Sequence, residues 1–164
     1  MAQLQEHTRW IIRRSKLVVA PSDKVAVDCA TTSGADAVVL DLSRDTPVFQ
    51  KEVLRREAAL ALAKLTNWGM DILAWVNVTT AAGDVAGCAG PGLTGVLVSA
   101  ETEEEIWEVD RALAAQEVAQ GVPVGTLQVE LVVSSARAVL DLLALARASA
   151  RIVCLNLDTE GLAS

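Results

Sequence analysis

Residues 37–42 read Ala-Val-Val-Leu-Asp-Leu, with Ser33-Gly34-Ala35-Asp36 immediately before them. A run this apolar does not alternate between a wet and a dry face. It fits a strand buried on both faces, which is the habit of parallel sheets covered by helices. Asp41 interrupts the run near its C-terminal end, where parallel α/β folds place their chemistry.

The same signature recurs on both sides. Residues 16–20 (KLVVA) form an apolar run that stops at Pro21, and Ser22 can cap a helix that Gly34 ends. Residues 50–68 place Val53, Leu54, Ala58, Ala61, Leu62 and Leu65 at the 3.6-residue period of a helix, with Gly69 as its stop. Further strands are read at 72–78 (ILAWVNV), 95–99 (GVLVS), 127–133 (LQVELVV) and 152–157 (IVCLNL). Residues 79–94, rich in Gly, Ala and Thr, read as a loop. Thr102 and Glu105 have the spacing of a capping box, and Ile106, Val109 and Leu113 share a face of the helix that follows. Glu103 and Glu104 suit the positive end of that helix. A helix over 135–148 is expected to bury Val139, Leu142 and Leu143.

Six strands separated by helices predict one α/β domain over residues 1–164, with parallel strands and right-handed crossovers. Two architectures fit: an incomplete TIM-type (β/α)8 barrel of six β/α units, or a flavodoxin-like open parallel sheet. Both put function at the C-terminal strand ends, so the residues to follow are Asp41, Asn77, Ser99, Glu130, Asn156 and Asp158.

Composition narrows the function. Of 164 residues, 52% are hydrophobic and 21% charged, which excludes a disordered chain. No apolar run is long enough for a membrane helix, and the N-terminus lacks the apolar stretch of a signal peptide. The net charge of −7 argues against a nucleic-acid partner. The basic cluster Arg9, Arg13, Arg14 and Lys16 reads as a solvated segment. Cys29, Cys88 and Cys154 are far apart and His7 is the one histidine, so zinc ligation and a disulfide framework have no support. These features predict a cytoplasmic protein with reduced thiols.

Two motifs carry chemistry on paper. Gly90-Pro91-Gly92-Leu93-Thr94-Gly95 matches GxGxxG, but it precedes a strand and opens no helix, so it lacks the setting for a dinucleotide. Glu130 sits inside an apolar strand, where a carboxylate needs a cation, a metal or a hydrogen-bonded partner. An Arg or Lys partner and a metal are both open readings. Asp158 and Glu160 follow the next strand, and such oxygen donors suit magnesium.

Taken in order, these pieces resemble the citrate lyase β-subunit and HpcH/HpaI aldolase family. Arg14-Ser15, Val18-Val19 and Pro21 resemble its opening "RS-x-LFVP", and residues 34–42 resemble "GADAVVLDLED". Pro47, Lys51 and Arg55 are similar to "P…K…AR", Val76-Asn77 to "VRVN", and residues 92–98 to "GLDGIVLPK". Val129-Glu130 resembles "IET", and Arg151-Ile152-Val153 resembles the "RVV" before "GxxD". The resemblance implies a TIM-barrel carbon–carbon lyase dependent on Mg2+, acting on acyl-CoA thioesters or on 2-oxo or 2-hydroxy acids. It implies Glu130 as one metal ligand, with Asp158 or Glu160 as the second.

The departures point the other way. Ser43-Arg44 stand where the family has Glu-Asp, Trp75 where it has a carboxylate-clamping Arg, and Ser99-Ala100 where it has Pro-Lys. Gly161 stands at the Asp of "GxxD". A catalytically inactive relative, serving as a binding or assembly subunit, and a fragment of a longer enzyme are therefore the alternatives. Six strands do not close an eight-strand barrel, so the outer strands keep unpaired edges and a homo-oligomer is expected.

Overall fold

The computed structural model describes residues 12–43 and 47–163, without the side chain of Val48. The apolar run at the centre of the reading is β2 (Ala37–Asp41), and all five of its residues are buried. Around it lie β1 (Lys16–Val19), β3 (Asp71–Val76), β4 (Leu93–Ser99), β5 (Gln128–Val133) and β6 (Ile152–Leu157). Every neighbouring pair is parallel, and the strands follow sequence order, β1-β2-β3-β4-β5-β6. A flavodoxin-like sheet reverses direction after its first strands. No reversal occurs here, so that alternative is excluded. The sheet curls into six strands of a TIM-type barrel.

The helices are α1 (Lys24–Ala30), α2 (Val48–Leu65), α3 (Ala81–Cys88), α4 (Glu103–Gln120), α5 (Ala136–Leu140), α6 (Leu142–Arg147) and α7 (Thr159–Ala163). The capping box at Thr102 and Glu105 forms as expected. Asp23, rather than Ser22, caps α1, its carboxylate accepting from the Ala26 N–H. The segment read as a loop over 79–94 contains α3. The helix read over 135–148 is two short helices meeting at Asp141.

Alternation along each strand divides the core in two. Outward side chains such as Val38, Leu40, Ile72, Val96 and Leu131 pack beneath Leu62, Leu65, Val85, Ile106 and Leu113 of the helices. Burying such a side chain contributes about 1.5–3 kcal/mol. Inward side chains Ala37, Val39, Leu73, Leu97 and Val132, with Trp75, fill the concave face. Among the described residues no helix is long and apolar enough to cross a membrane.

Candidate functional site

The concave face is built in layers. Its lower layer centres on Glu130, third residue of β5 and almost fully buried. Arg13, just before β1, donates from Nη1 to Glu130 Oε1 at 2.7 Å, from Nε to Asp71 at 2.8 Å and from Nη2 to Gln128 at 3.0 Å. Lys16 Nζ lies 2.6 Å from Glu130 Oε2 and donates to Asn156 Oδ1 at 2.6 Å. The Asn156 amide donates to Glu130 Oε2 at 2.9 Å. Burial disfavours the charged carboxylate, but hydrogen bonds from Lys16, Asn156 and Arg13 outweigh it and hold Glu130 below the usual carboxylate range. Arg13 and Lys16, read as part of a solvated basic segment, are instead the counter-ions of this buried acid; only 4% of the Arg13 side chain is exposed.

Above this layer opens a chamber of about 220 Å3. Val18, Val39, Trp75, Leu97 and Val132 make its apolar wall, and Lys16, Asn156, Leu157 and Asp158 its side toward β6. Trp75 projects inward from β3, at the position of the clamping Arg that the resemblance implies.

The C-terminal ends of β2 and β3 carry a second network. Ser43 donates from its N–H and its hydroxyl to Asp41 Oδ1, at 3.0 and 2.7 Å. Asn77 accepts from the Thr79 N–H at 3.0 Å and reaches the Ser43 carbonyl at 3.5 Å. Beneath it, fully buried Asp84 accepts from Lys51 at 3.2 Å, Arg55 Nε at 2.9 Å and Thr80 at 2.6 Å. Lys51 also donates to the Leu42 carbonyl at 2.5 Å, which ties α2 to the end of β2. Arg55 crosses α3 over Gly83 and Gly87; a Cβ there would stand 2.5 Å from Arg55 Nη2 and 2.7 Å from Arg55 Cβ. Asp84 lay inside the segment read as a loop. The signal that could have found it is the Gly-x-x-x-Gly spacing, which puts both glycines on one helix face.

The three expected metal ligands do not converge. Glu130 is held in the lower layer as described. Asp158 lines the chamber, and its Oδ1 accepts from the N–H groups of Glu160 and Gly161, at 3.2 and 3.1 Å, at the start of α7. Glu160 is exposed on α7. Asp41 and Asn77 lie at C-terminal strand ends, and Ser99 is the last residue of β4. One register row runs Asp41–Trp75–Leu97–Glu130, from the last residue of β2 to the third of β5. Strand tilt makes such a row oblique to the barrel axis, so residues in register do not share one end. Among the described residues no group of three or more His, Cys, Asp or Glu side chains is placed to hold a metal. A divalent ion at Glu130 would have to displace Lys16 or Arg13. That donor set does not fit magnesium, which takes oxygen ligands rather than a carboxylate already neutralised by two cations.

Known structures share this architecture at low sequence identity. A malate synthase of Haloferax volcanii, solved as a pyruvate/acetyl-CoA ternary complex, superposes with a TM-score of 0.71 at 14% identity, covering 95% of this chain and 50% of that one. A citrate lyase from Burkholderia xenovorans gives 0.74 at 13% identity, over 92% of this chain and 49% of that one. A HpcH/HpaI aldolase/citrate lyase family protein from Burkholderia cenocepacia gives 0.67 at 16%, over 90% and 65%. This chain spans about half the length of the first two. No curated protein sequence matches it. The HpcH/HpaI aldolase/citrate lyase family model matches residues 14–164, and the chain belongs to that family.

Proposed function

We propose that this chain, a member of a carbon–carbon lyase and aldolase family, binds a small carboxylic acid or an acyl-CoA thioester, and that by itself it turns such a compound over weakly or not at all. The observation that carries the reading is the state of Glu130. Its oxygens already accept hydrogen bonds from Arg13, Lys16 and Asn156. It therefore holds the lower layer together instead of serving the chemistry. Trp75 supports the same reading. An indole closes the chamber wall and offers one N–H donor, but it cannot make the paired, charge-assisted contact of an Arg with a carboxylate.

The test has two arms. A steady-state assay with magnesium on malyl-CoA- or citramalyl-CoA-type thioesters is expected to fall far below the enzymatic median of about 10 s⁻¹; turnover of that order overturns the proposal. Trp75 fluorescence is expected to change when a dicarboxylic acid or acyl-CoA enters the chamber, and Trp75→Phe is expected to abolish the change. A signal that survives Trp75→Phe removes the chamber from the proposal.

A second reading, an active magnesium lyase, rests on Asp158, the carboxylate of the expected set that lines the chamber. In that reading Asp158, with Glu160 brought in from α7, binds the ion. Calorimetry separates the readings. Magnesium affinity that falls tenfold or more, about 1.4 kcal/mol, in Asp158→Asn favours the enzyme. No heat with the unaltered chain favours the binding subunit.

A further inference from the structure

We infer that the chamber selects a short aliphatic acid with a single carboxylate over a dicarboxylate of the same length, and that Trp75 sets the choice. The inference rests on the chamber being the binding site proposed above. Its wall is formed by Val39 of β2, Trp75 of β3, Leu97 of β4 and Val132 of β5. Each of these strands is paired on both sides, so the wall is complete within the chain. It offers one donor, the indole N–H, and no charge. The polar groups gather on the other side, Lys16 on β1, Asn156 on β6 and Asp158 just past it. A chamber divided in this way orients a ligand, with its apolar body on the wall and its oxygens toward Lys16.

Lys16 is the one cation among the described residues that line the chamber, and it has room for one such group. An ammonium has three N–H donors. Two of them serve Glu130 Oε2 and Asn156 Oδ1, each at 2.6 Å, and the third meets only the Cys154 sulfur, at 4.0 Å. Sulfur is a weak acceptor, so a ligand oxygen takes that place readily. A second carboxylate has no counterpart. Against the wall it would exchange water for aliphatic carbon and one indole N–H, and burying a charge without partners is costly. Toward β6 it would meet the like charge of Asp158, whose Oδ1 is already engaged by the N–H groups of Glu160 and Gly161.

Equilibrium dialysis with hexanoate and hexanedioate, acids of one length that differ by a carboxylate, tests this on the unaltered chain. Hexanoate is expected to bind at least tenfold more tightly, about 1.4 kcal/mol. Trp75→Arg places a guanidinium on the wall and is expected to reverse the order, tightening hexanedioate and weakening hexanoate. Hexanedioate bound by the unaltered chain as tightly as hexanoate overturns the inference while leaving the proposed function standing. An order of affinities unchanged in a folded Trp75→Arg chain also overturns it. Where that variant does not fold, the comparison on the unaltered chain decides by itself. Binding of neither acid overturns the inference; if Trp75 fluorescence is also silent to acyl-CoA, the proposed function falls with it.

Discussion

Leu131 and Leu155 stand opposite each other in the β5–β6 ladder, both on the outward face of the sheet. Leu131 is fully buried and Leu155 is 44% exposed. The pair two positions up the ladder repeats the contrast: Val133 is 3% exposed, and Leu157, at the strand end where it also reaches the rim of the chamber, is 64% exposed. Nothing in the strands themselves explains this, since IVCLNL is at least as apolar as QVELVV. The difference lies in what packs over them. Leu131 belongs to the outer core that α3, α4 and α6 help to close, whereas the described chain lays no comparable helix over β6. Strand composition therefore reports the capacity for burial, and the surrounding helices decide whether it is used.

The largest expected effect breaks the contrast by freeing β6 altogether. Arg151, at the entry to β6, donates from Nη1 and Nη2 to the two oxygens of buried Glu117, both at 2.7 Å, and from Nη1 to the Leu127 carbonyl at 3.0 Å. Asp110 is a third acceptor. Removing one partner of a buried pair strands the other's charge, so Arg151→Ala is expected to lower unfolding stability by about 3–5 kcal/mol in chemical denaturation. Glu117→Leu with Arg151→Met removes both charges and is expected to recover most of that loss.

Leu131→Ala comes next. It opens a cavity beneath the helices and is expected to cost about 2–5 kcal/mol, read as a lower denaturation midpoint at unchanged slope.

Acid is expected to act on the same boundary. Burial raises the carboxyl of Glu117, but Arg151 and the N–H groups of Leu127 and Gly125 overcome it and hold Glu117, like Glu130, below the usual range. The unfolded chain then binds more protons than the folded one. Both groups contribute stability that is complete above their ordinary pKa of about 4.3 and is lost as pH falls toward the depressed values. Glu117 holds β6 through Arg151 and Glu130 holds it through Asn156. Amide protection at residues 152–157, taken relative to the unfolded exchange rate at each pH, is therefore expected to fall between about pH 4.5 and 3, before that of β2 and β3. A uniform fall across the sheet would break the comparison. Glu130→Gln keeps hydrogen-bonding capacity but removes the charge that faces Lys16 and leaves Arg13 with Asp71 alone, and should reproduce part of the acid effect at neutral pH.

The strands were legible because a doubly covered strand announces itself as an unbroken apolar run. The apolar run 152–157 coincides with β6, and the run 37–42 exceeds β2 by one residue. Less was legible where packing overrides composition. The segment Ala81–Cys88 holds two glycines, poor helix formers, and becomes helical because those glycines admit Arg55. Val139 and Leu143, expected in the core, are exposed, because the break at Asp141 changes the face that α6 turns inward and seats Leu145 there instead. Glu130 was recognisable as a buried acid needing a partner. The partner was not, because Arg13 and Lys16 are more than a hundred residues distant in the chain and meet it only when the sheet curls.

The smallest expected effect completes the opening pair. Leu155→Ala removes the same atoms as Leu131→Ala, from a register partner in the same ladder. In the folded monomer much of Leu155 already meets water, so less apolar surface returns to solvent on truncation and no enclosed cavity is left. Transfer alone then sets the cost. For a side chain nearly half exposed that is about 1 kcal/mol or less, against the 2–5 kcal/mol expected beneath the helices. The measurement is made at more than one chain concentration, because anything seated on β6 would bury Leu155 and enlarge the effect. A cost in the dilute monomer equal to that of Leu131→Ala would mean that β6 is covered within a single chain. A small cost that grows with concentration would separate the two leucines by assembly rather than by folding.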